Sequence, residues 1–289
     1  MEIIKKQIFN LDSQELEDFN KLCNICKKYD GNIVANYPYI LNSKRLRPSI
    51  ILYYHQDHLI GFLSAYFFYD DTCEVALMVA PKYRRRKIAS LMLQKITPLL
   101  LTENIKNIIF SSPNGINNNW LSSLGLSYQN SEFELQRLSS TKLLPKDMGL
   151  TIRPATIEDI EELCAIDNAC FNQQEIEMNL RLHQLLNDTQ YTIFIALKSN
   201  ILIGKAHICW QHDHALLSDI AILPKFQNQG FGSALLTHCV NFCLNNSQYN
   251  LKLTVSTNNI NAIQLYTRLD FRVNNAYDYW EIAIDKLKL

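Results

Sequence analysis

The chain alternates between two apolar periodicities, and it does so twice. Apolar residues recurring every three to four positions predict helices over 12–29 and 156–187. Thr156, followed by Glu158 and Asp159 in "ATIEDIEEL", reads as a helix N-cap. Denser runs rich in β-branched and aromatic residues predict strands: "SIILYYHQ", "HLIGFLSAYFF" and "EVALMVA" in the first half, "YTIFIALK", "ILIGKAHICW" and "ALLSDIAIL" in the second. Each half continues with a segment that begins Pro-Lys-aromatic and runs into an apolar helical pattern. In the second half this helix is "SALLTHCVNFCLNN", followed by the strand "LKLTVST", the short helix "NAIQLYTRL" and closing strands. The order predicts an α/β (α+β) domain, a mixed central sheet flanked by helices, made twice.

The repetition is visible in the residues. Pro81 and Pro224 are 143 positions apart, and the same offset joins "LIG" at Leu59 to "LIG" at Leu202. Further on, Leu126 of "SSLGLSY" matches Phe271 of "TRLDFRV" at an offset of 145, so a short insertion lies between. A long-period duplication of this kind predicts tandem copies of one domain. The polar "LSSTKLLPKDMG", with its proline and glycine, reads as the linker. The expected division is 1–138, a linker over 139–150, and 151–289.

Composition narrows the function. Among 289 residues, 28 basic and 28 acidic side chains balance to zero net charge. That argues against broad electrostatic capture of nucleic acid or an anionic membrane, though not against a local basic patch, and no direct partner of either kind is expected. The longest apolar runs, such as "ITPLLL", are too short to span a bilayer, and "MEIIKKQIFNLDSQELEDF" lacks the apolar core of a secretion signal. The eight cysteines form no framework: Cys23 and Cys26 have no second pair to complete a zinc site, and Cys239 and Cys243 sit one turn apart on an apolar helix. They read as reduced thiols, hence a cytosolic setting, either of the producing cell or of a cell that receives the protein.

The Pro-Lys-aromatic segments carry the candidate chemistry. "PKFQNQGFG" places glycines at 230 and 232, just before a helix, where unpaired amides and the helix dipole hold anions. Gln227, Asn228, Gln229, Gly230, Phe231, Gly232 and Ser233 therefore read as a pyrophosphate cradle, although a plain tight turn also fits a Q-x-x-G-x-G pattern. The first copy, "PKYRRRKIA", has Lys87 and Ala89 at the glycine positions. His212, Asp213 and His214 fall in a hairpin turn with no third ligand nearby, so no metal is expected.

After the glycine loop comes "NNINAIQLYTRLDF", in which Asn259, Ala262, Tyr266 and Phe271 are spaced N-x-x-A-x-x-x-Y-x-x-x-x-F. Strand, glycine loop and this spacing together resemble the GNAT superfamily of acetyl-CoA-dependent N-acetyltransferases, strongly over 191–271 and in part over 49–128. The resemblance implies acetyl-CoA as cosubstrate. The main chain of Ile220, Ala221 and Ile222 would pair with its pantetheine arm, the loop would hold its pyrophosphate, and Asn259 would touch the arm. It also implies direct attack by an acceptor amine, an oxyanion held by a strand N–H, and Tyr266 as the acid that protonates the leaving thiolate. A tyrosine filling core space fits Tyr266 as well. Leu253-Thr254-Val255 lacks the glutamate that related alanine acetyltransferases carry there, which leaves Asp219 as the best carboxylate, against its reading as a solvated strand end.

The matching first-half positions are Leu77, Met78 and Val79 on the strand, Arg84, Arg85, Arg86, Lys87, Ala89 and Ser90 in the loop, and Asn114. Leu121 stands where the second half has Tyr266, and Ala76 where it has Asp219. These positions are expected to hold a coenzyme through charge, but the first copy reads as degenerate and unfit for the same chemistry, serving support, acceptor shaping or partner binding. The acceptor, a protein or a small molecule, is expected near Glu175, Glu177, Tyr277 and Tyr279. The competing reading is a non-catalytic acyl-CoA-binding scaffold that recruits a partner protein through its first domain, as a secreted bacterial effector would in a host cytosol.

Overall fold

The computed structural model describes residues 3–171 and 175–288, with the side chains of 38, 39 and 175–177 outside that description. The chain runs β1 (Ile4–Ile8), α1 (Ser13–Asp30), α2 (Pro38–Leu41), β2 (Ile50–His55), β3 (His58–Tyr66), β4 (Thr72–Val79), α3 (Ile88–Thr102), β5 (Asn107–Pro113), α4 (Asn118–Ser123) and β6 (Ser127–Arg137). It continues with β7 (Leu150–Pro154), α5 (Ile160–Phe171), α6 (Glu175–Asn187), β8 (Tyr191–Lys198), β9 (Ile201–Trp210), β10 (Ala215–Ile222), α7 (Phe231–Asn245), β11 (Leu251–Ser256), α8 (Ile260–Arg268) and β12 (Arg272–Ala283).

Local chemistry fixes the helix starts. Asp12 accepts from the Glu15 amide at 2.7 Å while Glu15 accepts from the Asp12 amide at 3.1 Å, a reciprocal capping box that begins α1. Thr156 and Asp159 make the same box ahead of α5, with one 3₁₀ turn over Ile157–Asp159 between cap and helix.

Two compact units result, and the boundary between them is not one point in the chain. The first holds Met1–Phe133, Ser256–Asn258 and Asn275–Leu289; the second holds Glu134–Val255 and Asn259–Asn274. In the first, the strand order is β1-β2-β3-β4-β5-β12, with residues 127–133 of β6 beyond. The β1–β2, β2–β3, β3–β4 and β5–β12 pairs are antiparallel, and β4–β5 is parallel from Thr72↔Asn107 to Ala76↔Ser111. Alternation along the strands splits the core into two layers. Ile51, Tyr53, Leu63, Val75 and Phe110 pack on Met92, Leu93 and Ile96 of α3, whereas Ile50, Leu52, Phe62 and Met78 pack on Phe19, Leu22 and Cys26 of α1. Trp280 and Ile282, from the last strand of the chain, belong to the α3-side layer.

The second unit orders its strands β7-β8-β9-β10-β11, with residues 134–137 of β6 bordering β11. The final strand of the second sequence half therefore joins the first unit from Asn275 onward, and the final strand of the first half is divided between the units after Phe133. Leu235, Cys239, Val240 and Cys243 of α7 are fully buried, so these cysteines fill core volume, and all eight cysteines of the chain are free. Residues 138–147 carry no helix or strand, yet they are fastened to this unit. Arg137 donates to the carbonyls of Leu269, Ser139 and Thr141 at 3.0, 2.5 and 2.6 Å, and Leu143 exchanges hydrogen bonds with Asn241.

Gly204 of the second "LIG" accounts for one repeated glycine. A Cβ there would overlap Ile222 Cδ1 and lie 2.7 Å from the Ala221 carbonyl oxygen, so only glycine lets β9 lie this close to the bent end of β10.

Candidate active site

Both units present a loop of the same backbone shape between strand and helix. In the second, Gln227 is extended (φ −68°, ψ 162°), while Asn228 and Gly230 are left-handed at φ 60° and 88°. In the first, Arg84 is extended (φ −64°, ψ 161°), and Arg85 and Lys87 are left-handed at 63° and 61°. Lys87 thus adopts the conformation that Gly230 adopts freely, at a cost of about 1–2 kcal/mol for a side chain with a Cβ. Loss of the glycine did not abolish the loop. Gly232 needs no special dihedral: a Cβ there would meet Ile222 and Leu265 at 3.6 and 3.7 Å, ordinary contact, which fits Ala89 at the equivalent place.

The first residue of each loop turns back onto its strand. Gln227 Nε2 donates to the Ile222 carbonyl at 2.8 Å, and Arg84 Nε donates to the Val79 carbonyl at 2.9 Å. Arg84 also pairs with Asp30 through two contacts of 2.6 and 2.7 Å. Its charge is spent inside the unit, and Arg86 lies over the Tyr83 ring at 5.5 Å. Of the basic run, Arg85 and Lys87 line the cavity described below together with Arg84, while Arg86 does not.

The central strands part beside each loop. In the second unit, β10 pairs with β11 in parallel at Ala215↔Leu251 and Leu216↔Lys252 only. Beyond, β10 bulges: Ser218 faces His207 and Ala221 faces Lys205, so Asp219 and Ile220 together oppose Ala206. Asp219 takes φ 48° there. It is no solvated strand end. Its carboxylate, 19% exposed, accepts from Ser218 Oγ at 2.9 Å and lies 3.5 Å from His207 Nδ1 and 3.8 Å from Arg181. Burial alone would raise the Asp219 carboxyl, but the surrounding His207, Lys205 and Arg181 hold it below the ordinary carboxylate range.

Tyr266 sits on α8, whose start is capped by Asn259 accepting from the Ala262 amide at 3.2 Å. Its ring is buried and meets Phe271 edge to face at 6.3 Å. Burial pushes the phenol up to about 12, so it keeps its proton throughout the neutral range. The adjacent Leu265 is the α8 residue nearest the vacant Cβ position of Gly232, which ties this helix to the glycine loop.

In the first unit, a cavity of about 460 Å³ runs from the loop along β4, lined by Leu77, Met78, Val79, Lys87, Ala89 and Ser90 among others. Asn114, expected to match Asn259, is committed elsewhere: its Nδ2 donates to Asp278 at 2.7 Å. Tyr277 and Tyr279, expected beside the second half's acceptor, belong to the first unit, because β12 pairs with β5 (Tyr277↔Pro113, Tyr279↔Ser111). There both lie near Tyr37, and Tyr279 lies near Glu74, which the sequence reading passed over. Glu74 is 7% exposed and accepts from the Tyr37 hydroxyl at 3.0 and 3.1 Å. Burial pushes it up to about 7, against the pull of Tyr37 and aided by the charge of Glu132. The available signal was a lone carboxylate opening the otherwise apolar run "EVALMVA".

His214 Nδ1 and Asp213 pair with each other at 2.7 Å in the hairpin turn, and among the described residues no three potential metal ligands are grouped. The side chains of Glu175 and Glu177 lie outside the described residues. No helix of the described residues is long and apolar enough to cross a membrane.

The sequence profile of the acetyltransferase (GNAT) family matches residues 11–123 and 160–271. A Bacillus subtilis (strain 168) protein that bears the provisional name of a ribosomal protein bS18-alanine N-acetyltransferase is 26% identical over 117 residues, 40% of this chain and 77% of that one. Among solved structures, a GCN5-related N-acetyltransferase from Sphaerobacter thermophilus superposes with a TM-score of 0.78 at 13% identity, covering 98% of this chain and 96% of that one. A tandem GNAT protein from the clavulanic acid biosynthesis pathway superposes with a TM-score of 0.67 at 11% identity, covering 98% and 99%. At such identities these two likenesses speak for the fold.

Proposed function

The chain belongs to the acetyltransferase (GNAT) family, as a tandem N-acetyltransferase, and we propose that its second unit transfers the acetyl group of acetyl-CoA to a primary amine. The observation that carries this reading is the left-handed loop at Asn228 and Gly230, beside parted strands and within reach of the helix that bears a buried tyrosine. Acetyl-CoA, the family's cosubstrate, supplies the activated acyl group. The amides from Asn228 to Ser233 face its pyrophosphate, and Ile220, Ala221 and Ile222, which lie beyond the end of the β10–β11 pairing, receive its arm as an added strand. The amine nitrogen bonds to the acyl carbon as the carbon–sulfur bond breaks. Tyr266 gives its hydroxyl proton to the departing sulfur, the nitrogen sheds its own proton to water, and water returns one to the phenolate. Burial suits Tyr266 to this task because the phenol remains protonated.

A second reading rests on Glu74. A buried carboxyl with a pKa near 7, held by Tyr37 and on the same strand whose far end, Leu77 to Val79, lines the cavity, is fit to take a proton from an amine in the first unit. Under this reading the first copy is a second acetylation site rather than a support.

The test is a screen of peptide N-termini, lysine peptides and small amines with the full-length chain and acetyl-CoA, following thiol release. Amine-dependent release is expected. Bound coenzyme with no turnover on any amine would overturn the reading in favour of a coenzyme-binding scaffold that recruits a partner protein.

A further inference from the structure

Lys205 and Asp167 are both 0% exposed, with Nζ and Oδ1 2.5 Å apart. A buried ion pair seldom stabilises a fold better than apolar side chains of similar size, so its presence in a core calls for a reason of another kind. The reason lies in what the pair touches. Lys205 Nζ is 3.3 Å from His207 Nε2. An ammonium only donates, so Nε2 accepts, and the imidazole proton resides on Nδ1, which faces Asp219 at 3.5 Å. Burial and the neighbouring Lys205 keep His207 neutral.

This chain of groups brackets the bulge. Lys205 lies opposite Ala221 and His207 opposite Ser218, on the two sides of the extra residues Asp219 and Ile220. The first unit supplies the contrast. At the positions of Lys205 and His207 it has Phe62 and Ser64, and its β3–β4 ladder is unbroken from Tyr66↔Glu74 to Gly61↔Val79. The copy without the charges has no bulge, and the copy with them holds a carboxylate against His207 where its strands part.

We propose that Asp167, Lys205 and His207 are positioning residues that hold the Asp219 carboxylate at the β10 bulge, where it receives the ammonium of the acceptor amine. The proposal rests on the second unit being the reacting one. The charged and titratable groups facing Asp219 are His207 and Lys205 on β9, Arg181 on α6 and Asp167 on α5. Arg181, half exposed, is the one of these that an arriving ammonium can displace toward solvent. The carboxylate orients the amine by hydrogen bonding, and no covalent step is added to the transfer.

The test replaces both members of the ion pair, Lys205→Met with Asp167→Leu, in the full-length chain, so that no buried charge is left without a partner. The double variant is expected to melt close to wild type and to bind acetyl-CoA as before. Its kcat/KM for the amine should fall about 10–100-fold, the scale of loss when a positioning contact slips. Loss of the Lys205 cation should raise the Asp219 pKa, moving the acid limb of the pH–rate profile to higher pH. Carbon NMR of the labelled Asp219 carboxyl should show the same displacement without any turnover. An unchanged Asp219 titration overturns the proposal. So do unchanged kinetics in a folded double variant when Tyr266→Phe in the same assay is inactive. Full activity of Gly232→Asp, which should lose the coenzyme site of the second unit, would instead remove the second-unit reading, and with it the acceptor assigned to Asp219.

Discussion

Asn114 Nδ2 donates to Asp278 Oδ1 at 2.7 Å across 164 positions of sequence. Asp278 also accepts from the Gly115 amide at 2.8 Å and from Ser131 Oγ at 2.5 Å. One buried carboxylate on the last strand thus gathers the end of β5 and the start of β6. The contact fixes Asn114 as a structural residue and makes the C-terminal strand part of the first unit.

Replacing Asp278 with Ala leaves those three donors without an acceptor. The expected loss is about 2–4 kcal/mol, the scale of buried polar groups left unsatisfied. Denaturant unfolding of the full-length chain measures it, and protease cleavage should begin in the first unit. A chain ended after Asn274 should lose ordered structure in that unit more severely still. Wild-type stability in the point variant would mean that the three hydrogen bonds are replaced by water.

Tyr266→Phe keeps the ring against Phe271 and removes the hydroxyl proton. If the phenol is the acid, kcat should fall by about 10²–10⁴ with little change in acetyl-CoA affinity. A tyrosine that only fills space would give near-normal kcat and at most a lowered melting temperature. Steady-state kinetics on a substrate found in the amine screen, with chemistry shown to limit the rate, separate the two.

Gly232→Ala should bind acetyl-CoA nearly as wild type does, because the vacant Cβ position has ordinary room. Gly232→Asp should lose one coenzyme site, since its carboxylate would confront the pyrophosphate. Calorimetry on the full chain reads the stoichiometry. An unaltered number of sites in the Asp variant would remove the loop from the binding surface.

Glu74 gives stability a pH signature. Its folded pKa of about 7 lies above the ordinary 4.5, so the folded chain binds this proton more tightly than the unfolded chain does. The contribution is whole below pH 4.5 and is lost as pH rises through 7. Glu74→Gln, always neutral, should therefore gain on wild type between pH 5 and pH 8, by about 3 kcal/mol at the upper end. Thermal melts of both proteins across that range check this, and parallel curves would show that Glu74 titrates normally. A pH–rate profile that loses a midpoint near 7 in the variant would additionally place the group in catalysis.

Periodicity and spacing were enough to show a doubled mixed-sheet fold, because Ile51 or Phe62 alternates faces and α7 repeats its apolar residues wherever the units end up. The left-handed loop before a helix was legible at Gly230, where the residue type advertises the dihedral. At Lys87 it was not, because packing around the strand imposes that conformation on a side chain that does not favour it. Asp219 was legible as a candidate carboxylate, but Glu74 and the Asp167, Lys205 and His207 that group around Asp219 were invisible as sites. Their members lie on separate strands and helices, and burial shifts a carboxyl or silences a histidine only once those elements pack. The destination of β12 was likewise decided by tertiary structure. Residues 272–283 read as a strand in any context, but nothing local tells a strand which edge to join. Its hydrogen bonds to β5, the burial of Trp280 and Ile282, and the three donors waiting for Asp278 settle that it closes the first unit.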